Sequence, residues 1–129
     1  MTKKGTMPST YPTLAALRDK LATLDVQTCK IGLEANMTPA DYPMIRLVTS
    51  RVTPTVVRPR REIELLIYYG QPLHDFAVGL EALTESHMAM EASIIEVVED
   101  FGGKYIETIT DEDRLEGYKM MSINVSISG

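Results

Sequence analysis

Four arginines, Arg51, Arg58, Arg60 and Arg61, stand close together in a stretch broken by Pro54 and Pro59. A guanidinium presents its N–H groups as a planar fork that matches the oxygens of a carboxylate or phosphate, so the cluster is suited to binding an anion. Further along the chain the charges reverse. Asp75, Glu81, Glu85, Glu91, Glu96, Glu99 and Asp100 follow one another with no Lys or Arg between His74 and Lys104. Glu99 and Asp100 fall at the C-terminal end of a predicted helix, where its dipole disfavours negative charge by about 0.3–1 kcal/mol each. Local stability does not select that pattern. A contact between subunits accounts for both features, with Arg51, Arg58, Arg60 and Arg61 on one side and Glu81, Glu85, Glu96 and Glu99 on the other. The competing reading is a solvated acidic helix and a basic loop that never meet. Nucleic acid is the weaker partner, because the chain is acidic overall and the arginines have no interleaved aromatics.

The remaining residues with chemical potential point to no reaction. Gly102-Gly103 lies at a helix C-terminus, where the dipole repels phosphate, so it does not read as a nucleotide loop. His74 falls in a turn and His87 inside an apolar helical stripe, and neither has further ligands at metal-binding spacing. His87 reads as a core or interface histidine. Cys29, the single cysteine, sits between apolar neighbours and reads as a small buried hydrophobe. Asp111, Glu112 and Asp113 lack the ordered spacing of a calcium loop and read as a solvated turn. No catalytic set, cofactor or metal site is expected.

The elements that position these residues follow from the bulk numbers and the periodicity. A chain of 129 residues with 44% hydrophobic and 24% charged residues is sized for one folded domain. One cysteine excludes an intramolecular disulfide and fits synthesis in a reducing cytoplasm. Residues 1–12 carry no apolar run behind Lys3 and Lys4, and no stretch approaches a bilayer span, so neither export nor a membrane is expected. The net charge of −5 is unevenly spread: residues 1–61 hold ten Lys/Arg against four Asp/Glu, and residues 62–129 hold three against fourteen. That asymmetry can be neutralised within one fold or matched between copies.

Residues 1–12 read as an extended arm that needs something, such as a neighbouring subunit, to hold it, and residues 13–129 as a single α+β assembly domain. Leu14, Leu17, Leu21 and Leu24 predict a short amphipathic helix started by Pro12 or Thr13. A strand ending at Gly32 follows, then a loop to Pro43, a strand over 44–48, and a second strand over 62–69 that makes a long hairpin with it. Gly70 to His74 reads as a turn, and Asp75 as the cap of a helix running to Phe101. The predicted buried stripe of that helix is Phe76, Leu80, Leu83, His87, Met90, Ile94, Val97 and Phe101. Strands over 104–110 and 118–128 close the chain around an acidic turn at 111–117. The order is α-β-β-β-α-β-β, a mostly antiparallel sheet of four or five strands with both helices on one face and a largely polar second face.

Several segments together give this order a family likeness: the helix LAALRDKLATL, the approach DYPMIRLV, the proline-containing hairpin loop and the closing strand GYKMMSINVSI. Over about residues 13–127 the chain resembles the tail terminator, or tail completion, proteins of long-tailed bacteriophages and the related neck proteins. The resemblance implies a non-enzymatic virion protein, assembled in the host cytoplasm, that forms a ring, commonly a hexamer, at the head-proximal end of the tail. It further implies docking of tail-tube and neck or head-completion proteins, and a central channel that acidic residues could line so that DNA passes without sticking. Two other readings compete: another connector or tail-tube subunit of the same particle, and a small-molecule-binding α+β module.

Overall fold

The computed structural model describes residues 8–32, 41–57, 59–72, 80–110 and 118–129. Its elements are α1 (Tyr11–Leu21), β1 (Thr28–Ile31), β2 (Met44–Pro54), β3 (Arg61–Pro72), α2 (Leu80–Asp100), β4 (Lys104–Ile109) and β5 (Tyr118–Ser128). The protein is therefore α+β, in the order α-β-β-β-α-β-β that the periodicity predicts. The five strands form one sheet in the order β1-β2-β3-β5-β4. Every neighbouring pair is antiparallel except β1–β2, which runs parallel from Thr28 opposite Met44 to Ile31 opposite Leu47.

Alternation along the strands decides which face is covered. Ile45 and Leu47 on β2, Ile63, Leu65, Ile67 and Tyr69 on β3, and Met121, Ile123, Val125 and Ile127 on β5 point to one side and are buried. Leu14, Leu17 and Leu21 of α1 and Ile94 and Val98 of α2 pack into the same cluster, so both helices lie on that face. Burying a side chain of this size stabilises the fold by about 1.5–3 kcal/mol.

The element boundaries move where tertiary context overrides local signals. α1 begins at Tyr11 rather than at 12 or 13, because Ser9 Oγ accepts the Tyr11 N–H at 3.0 Å and Pro12 fits the first turn. Leu24 falls beyond the helix and still packs, half-buried, against the core. β2 does not stop at Val48 but continues to Pro54, with a register shift between Thr49 and Arg51. β1 ends opposite Leu47, so no described strand lies along that side of β2, and a proline without an N–H is tolerated there. Gly70 and Gln71 belong to β3 rather than to a turn, because β5 pairs with them as far as Tyr118 opposite Pro72.

The last turn of α2 closes as predicted at the double glycine. The Gly103 N–H bonds to the Val98 carbonyl at 2.8 Å and the Gly102 N–H to the Glu99 carbonyl at 3.0 Å, with Gly102 at φ +93°. These paired bonds satisfy two carbonyls that the helix leaves open, and the positive φ suits a residue without Cβ. The buried side of α2 holds Leu83, His87, Ile94 and Val98, with Met90, Ile95, Val97 and Phe101 partly buried. Phe76, Asp75, His74 and the acidic turn 111–117 lie outside the described residues.

The second face of the sheet is less polar than expected. Tyr42, Met44 and Met120 form a small buried cluster there, against which Tyr68 packs. It closes over Gly70, where an added Cβ would lie 2.6 Å from Met120 Sδ and 3.0 Å from the Tyr42 ring. Arg46 is also fully buried and donates through Nη1 to Thr28 Oγ1 at 2.9 Å and to the Ile45 carbonyl at 3.0 Å. Ser122 and Ser126 on this face are buried because they are short and lie between longer neighbours, Tyr68 and Ile109 in one case and Glu64 and Lys104 in the other.

Candidate assembly interface

The β2–β3 hairpin carries the arginines and separates them by environment. Arg51 on β2 and Arg60 at the tip are exposed. Arg61, the first residue of β3, is turned inward and half-buried, and its guanidinium donates to the Pro8 carbonyl. Its backbone exchanges two hydrogen bonds of 2.9 Å with Gly129. Arg61 thus ties the start of α1 and the end of β5 to the hairpin, so the contact holding Pro8 is made within the chain. Arg58 lies outside the described residues.

Thr55 fixes the shape of the tip. Its hydroxyl is shared between the carbonyls of Arg60 at 2.9 Å and Val57 at 3.1 Å, and it accepts the Val57 N–H at 3.3 Å. Backbone bonds from Thr55 N to the Arg60 carbonyl and from Arg60 N to the Val57 carbonyl complete the turn. This turn presents apolar side chains to solvent: Val56 is 100% exposed, Val57 60% and Val52 39%. The tip is therefore an apolar knob with cations beside it.

The acidic residues form a stripe on α2. Residues 81, 85, 88, 92, 96 and 99 recur at intervals of four, three, four, four and three, which at 3.6 residues per turn keeps them on one side of the helix over about 27 Å. Glu81, Glu85, Met88, Ala92, Glu96 and Glu99 are all exposed. The stripe has carboxylates at both ends and an apolar middle, where Met88 is 60% exposed. Glu99 and Asp100 end the helix and no basic residue occupies its last turn.

Among the described residues the structure does not pair Arg51, Arg60 or Arg61 with the α2 carboxylates. Arg18 pairs with its neighbour Asp19 at 3.0 Å, away from both charge sets. Neither Arg51 nor Arg60 forms an ion pair with Glu81, Glu85, Glu96 or Glu99.

Beside the stripe a cavity of about 400 Å³ is lined by Thr84, His87, Met88, Glu91, Thr110 and Met121. His87 forms one wall. Its Nδ1–H donates to Gln71 Oε1 at 2.6 Å, the Gln71 amide donates to Ser86 Oγ at 2.9 Å, and the ring meets Tyr69 edge-on at 5.1 Å. An amide oxygen only accepts, so this bond places a proton on Nδ1. Cys29 packs half-buried with its thiol donating to the Arg18 carbonyl at 3.4 Å, and burial pushes its pKa up to about 11. The thiolate needed for nucleophilic chemistry is thereby disfavoured. Among the described residues no three His, Cys, Asp or Glu side chains gather as metal ligands, and no helix is long and apolar enough to cross a membrane.

The valines and Met88 are the parts of this surface that sequence reading passes over. Val56 and Val57 beside Pro59 read as loop residues, although two adjacent β-branched side chains in a polar turn are a signal of contact. Met88 lies off the predicted core stripe and for that reason projects outward. Compared with known proteins, the chain matches no family model and no curated sequence.

Proposed function

We infer that the chain is a structural subunit that assembles into a ring, in the manner of the tail terminator and neck proteins of long-tailed bacteriophages. In that role it would end the tail tube, dock head or neck proteins and leave a central passage for DNA, as a component of the virion without enzymatic activity. The observation that carries the reading is the pair of exposed, oppositely charged surfaces, Arg51 and Arg60 on the hairpin and Glu81, Glu85, Glu96 and Glu99 on α2, with no ion pair between them inside the subunit. Two different surfaces on one subunit make a head-to-tail contact, which closes into a ring when its rotation divides a full turn. The element order and the long hairpin support the family resemblance.

The test is mass measurement of the purified protein across a range of salt concentrations. A discrete oligomer that dissociates as salt rises is expected, since contacts between exposed charges weaken within a Debye length of about 8–10 Å at physiological ionic strength. The double variant Arg51→Glu/Arg60→Glu should lose the oligomer while keeping the wild-type melting curve measured below the concentration at which the oligomer forms. A monomer at every concentration and salt level would remove the proposal. A second reading, a small-molecule module, draws on the cavity beside His87, whose volume lies in the range of ligand sites. A monomer that retains a cavity ligand would favour it.

A further inference from the structure

The knob on the hairpin and the middle of the acidic stripe are both apolar patches flanked by charge, and the charges are of opposite sign. Val56 and Val57 project fully and largely into solvent, from a turn already locked by Thr55. Met88 is exposed at the middle of the stripe and also lines the cavity between α2 and the neighbouring β4–β5 side of the sheet. Charge is matched in the same sense. Cations at Arg51 and Arg60 accompany the valines, whereas Glu85 and Glu91 lie one turn either side of Met88. An apolar centre with a charged rim is the make-up of a contact surface.

Joining subunits through sheet edges is the obvious rival, and the structure works against it. Beyond its pairing with β1, β2 shifts register against β3 at Thr49/Arg51 and carries the cation Arg51 and Pro54, and the outer strand β4 shifts against β5 at Tyr105/Glu107. Bulges, charges and prolines are the features that blunt an edge against pairing with another strand.

We propose that the β2–β3 hairpin tip of one copy docks against α2 of the next copy, with Val56 and Val57 seated on Met88 at the mouth of the cavity and Arg51 and Arg60 facing the α2 carboxylates. The occupant is a second copy of this chain, because the chain itself supplies both the apolar match and the opposite charge. The proposal deepens the ring reading by naming the two surfaces that meet. Knob and socket are different patches, so each subunit gives one and receives one, and the contact propagates until it closes.

Site-directed cross-linking tests it. In a Cys29→Ala background, the double variant Val57→Cys/Met88→Cys should give, on mild oxidation, a ladder of covalent oligomers ending at the ring size. A disulfide forms only where Cα atoms come within about 7 Å, so the ladder reports this contact and not mere proximity. A mixture of the two single variants should stop at the covalent dimer. Separately, Val56→Asp/Val57→Asp should weaken association about 30-fold or more, as loss of a central apolar anchor does. Its melting curve below the concentration at which the oligomer forms should be unchanged, because both side chains are exposed. If that variant fails to fold, the cysteine pair decides alone. An oligomer that assembles normally with Asp at both positions, or that yields no cross-link, overturns the knob-and-socket contact while leaving the ring reading intact. A protein that stays monomeric throughout overturns both.

Discussion

Glu99→Lys separates folding from assembly, because the two should respond with opposite signs. In the isolated subunit Glu99 occupies the last turn of α2, exposed, with no basic residue in that turn and no ion pair. A negative charge at that end of the macrodipole costs about 0.3–1 kcal/mol, and a positive one gains a similar amount. The introduced lysine would also stand one turn after Glu96, adding about 0.2–0.5 kcal/mol as a side-chain pair. The substitution should therefore stabilise the monomer by roughly 1–2 kcal/mol at low ionic strength, a rise of about 3–10 °C in Tm for a chain of this size. The gain should shrink as salt is added. Thermal unfolding below the concentration at which the oligomer forms measures the first effect, and light scattering above it measures the second. A variant that melts higher and associates more weakly supports an acidic stripe retained for contact. Lower monomer stability would show that Glu99 has a partner inside the fold, and the argument from unpaired charge would fail.

Three further outcomes test the packing. Gly70→Val should cost about 1–3 kcal/mol in urea unfolding, because even a Cβ at that position would press on Met120, Tyr42 and Met44. Unchanged stability would mean that the small cluster on the second face is loosely filled. Gln71→Leu should destabilise by about 1–3 kcal/mol by leaving the buried His87 Nδ1–H without its acceptor, again read by denaturant. Cys29 should react slowly with iodoacetamide at pH 8, accelerating only as pH approaches about 11. Its folded pKa lies above the ordinary 9.0, so the stability linked to the neutral thiol is complete below pH 9 and is lost as pH rises toward 11. Fast labelling of the folded protein at pH 8 would contradict that environment.

Much of the fold is legible because two periods are written cleanly. β5 alternates Met121, Ile123, Val125 and Ile127 with Ser122, Asn124, Ser126 and Ser128, and both of its boundaries follow from that alternation. α2 is visible in a stripe of three- and four-residue steps, although the buried side includes Val98 and holds Val97 less deeply, since a helix facing a broad core buries more than one line of residues. What escapes the sequence is decided by partners far along the chain. Pro54 extends β2 beyond the end of the short β1, Gln71 stays in β3 because β5 pairs with it, and β1 runs parallel to β2, a pairing that no local period encodes. The arginine cluster is legible as a group, but its division is not. Only the fold shows that Arg61 points back to Pro8 while Arg51 and Arg60 face solvent.

The hydroxyl of Thr55 has a consequence for speed. A tip held by its own hydrogen bonds before any encounter surrenders little motion on docking, so less of the contact energy is offset by ordering. Thr55→Val would keep the outline of the turn and remove those bonds, leaving the valines to find their pose after collision. On the docking proposed above, copies would then join more slowly for the same final contacts.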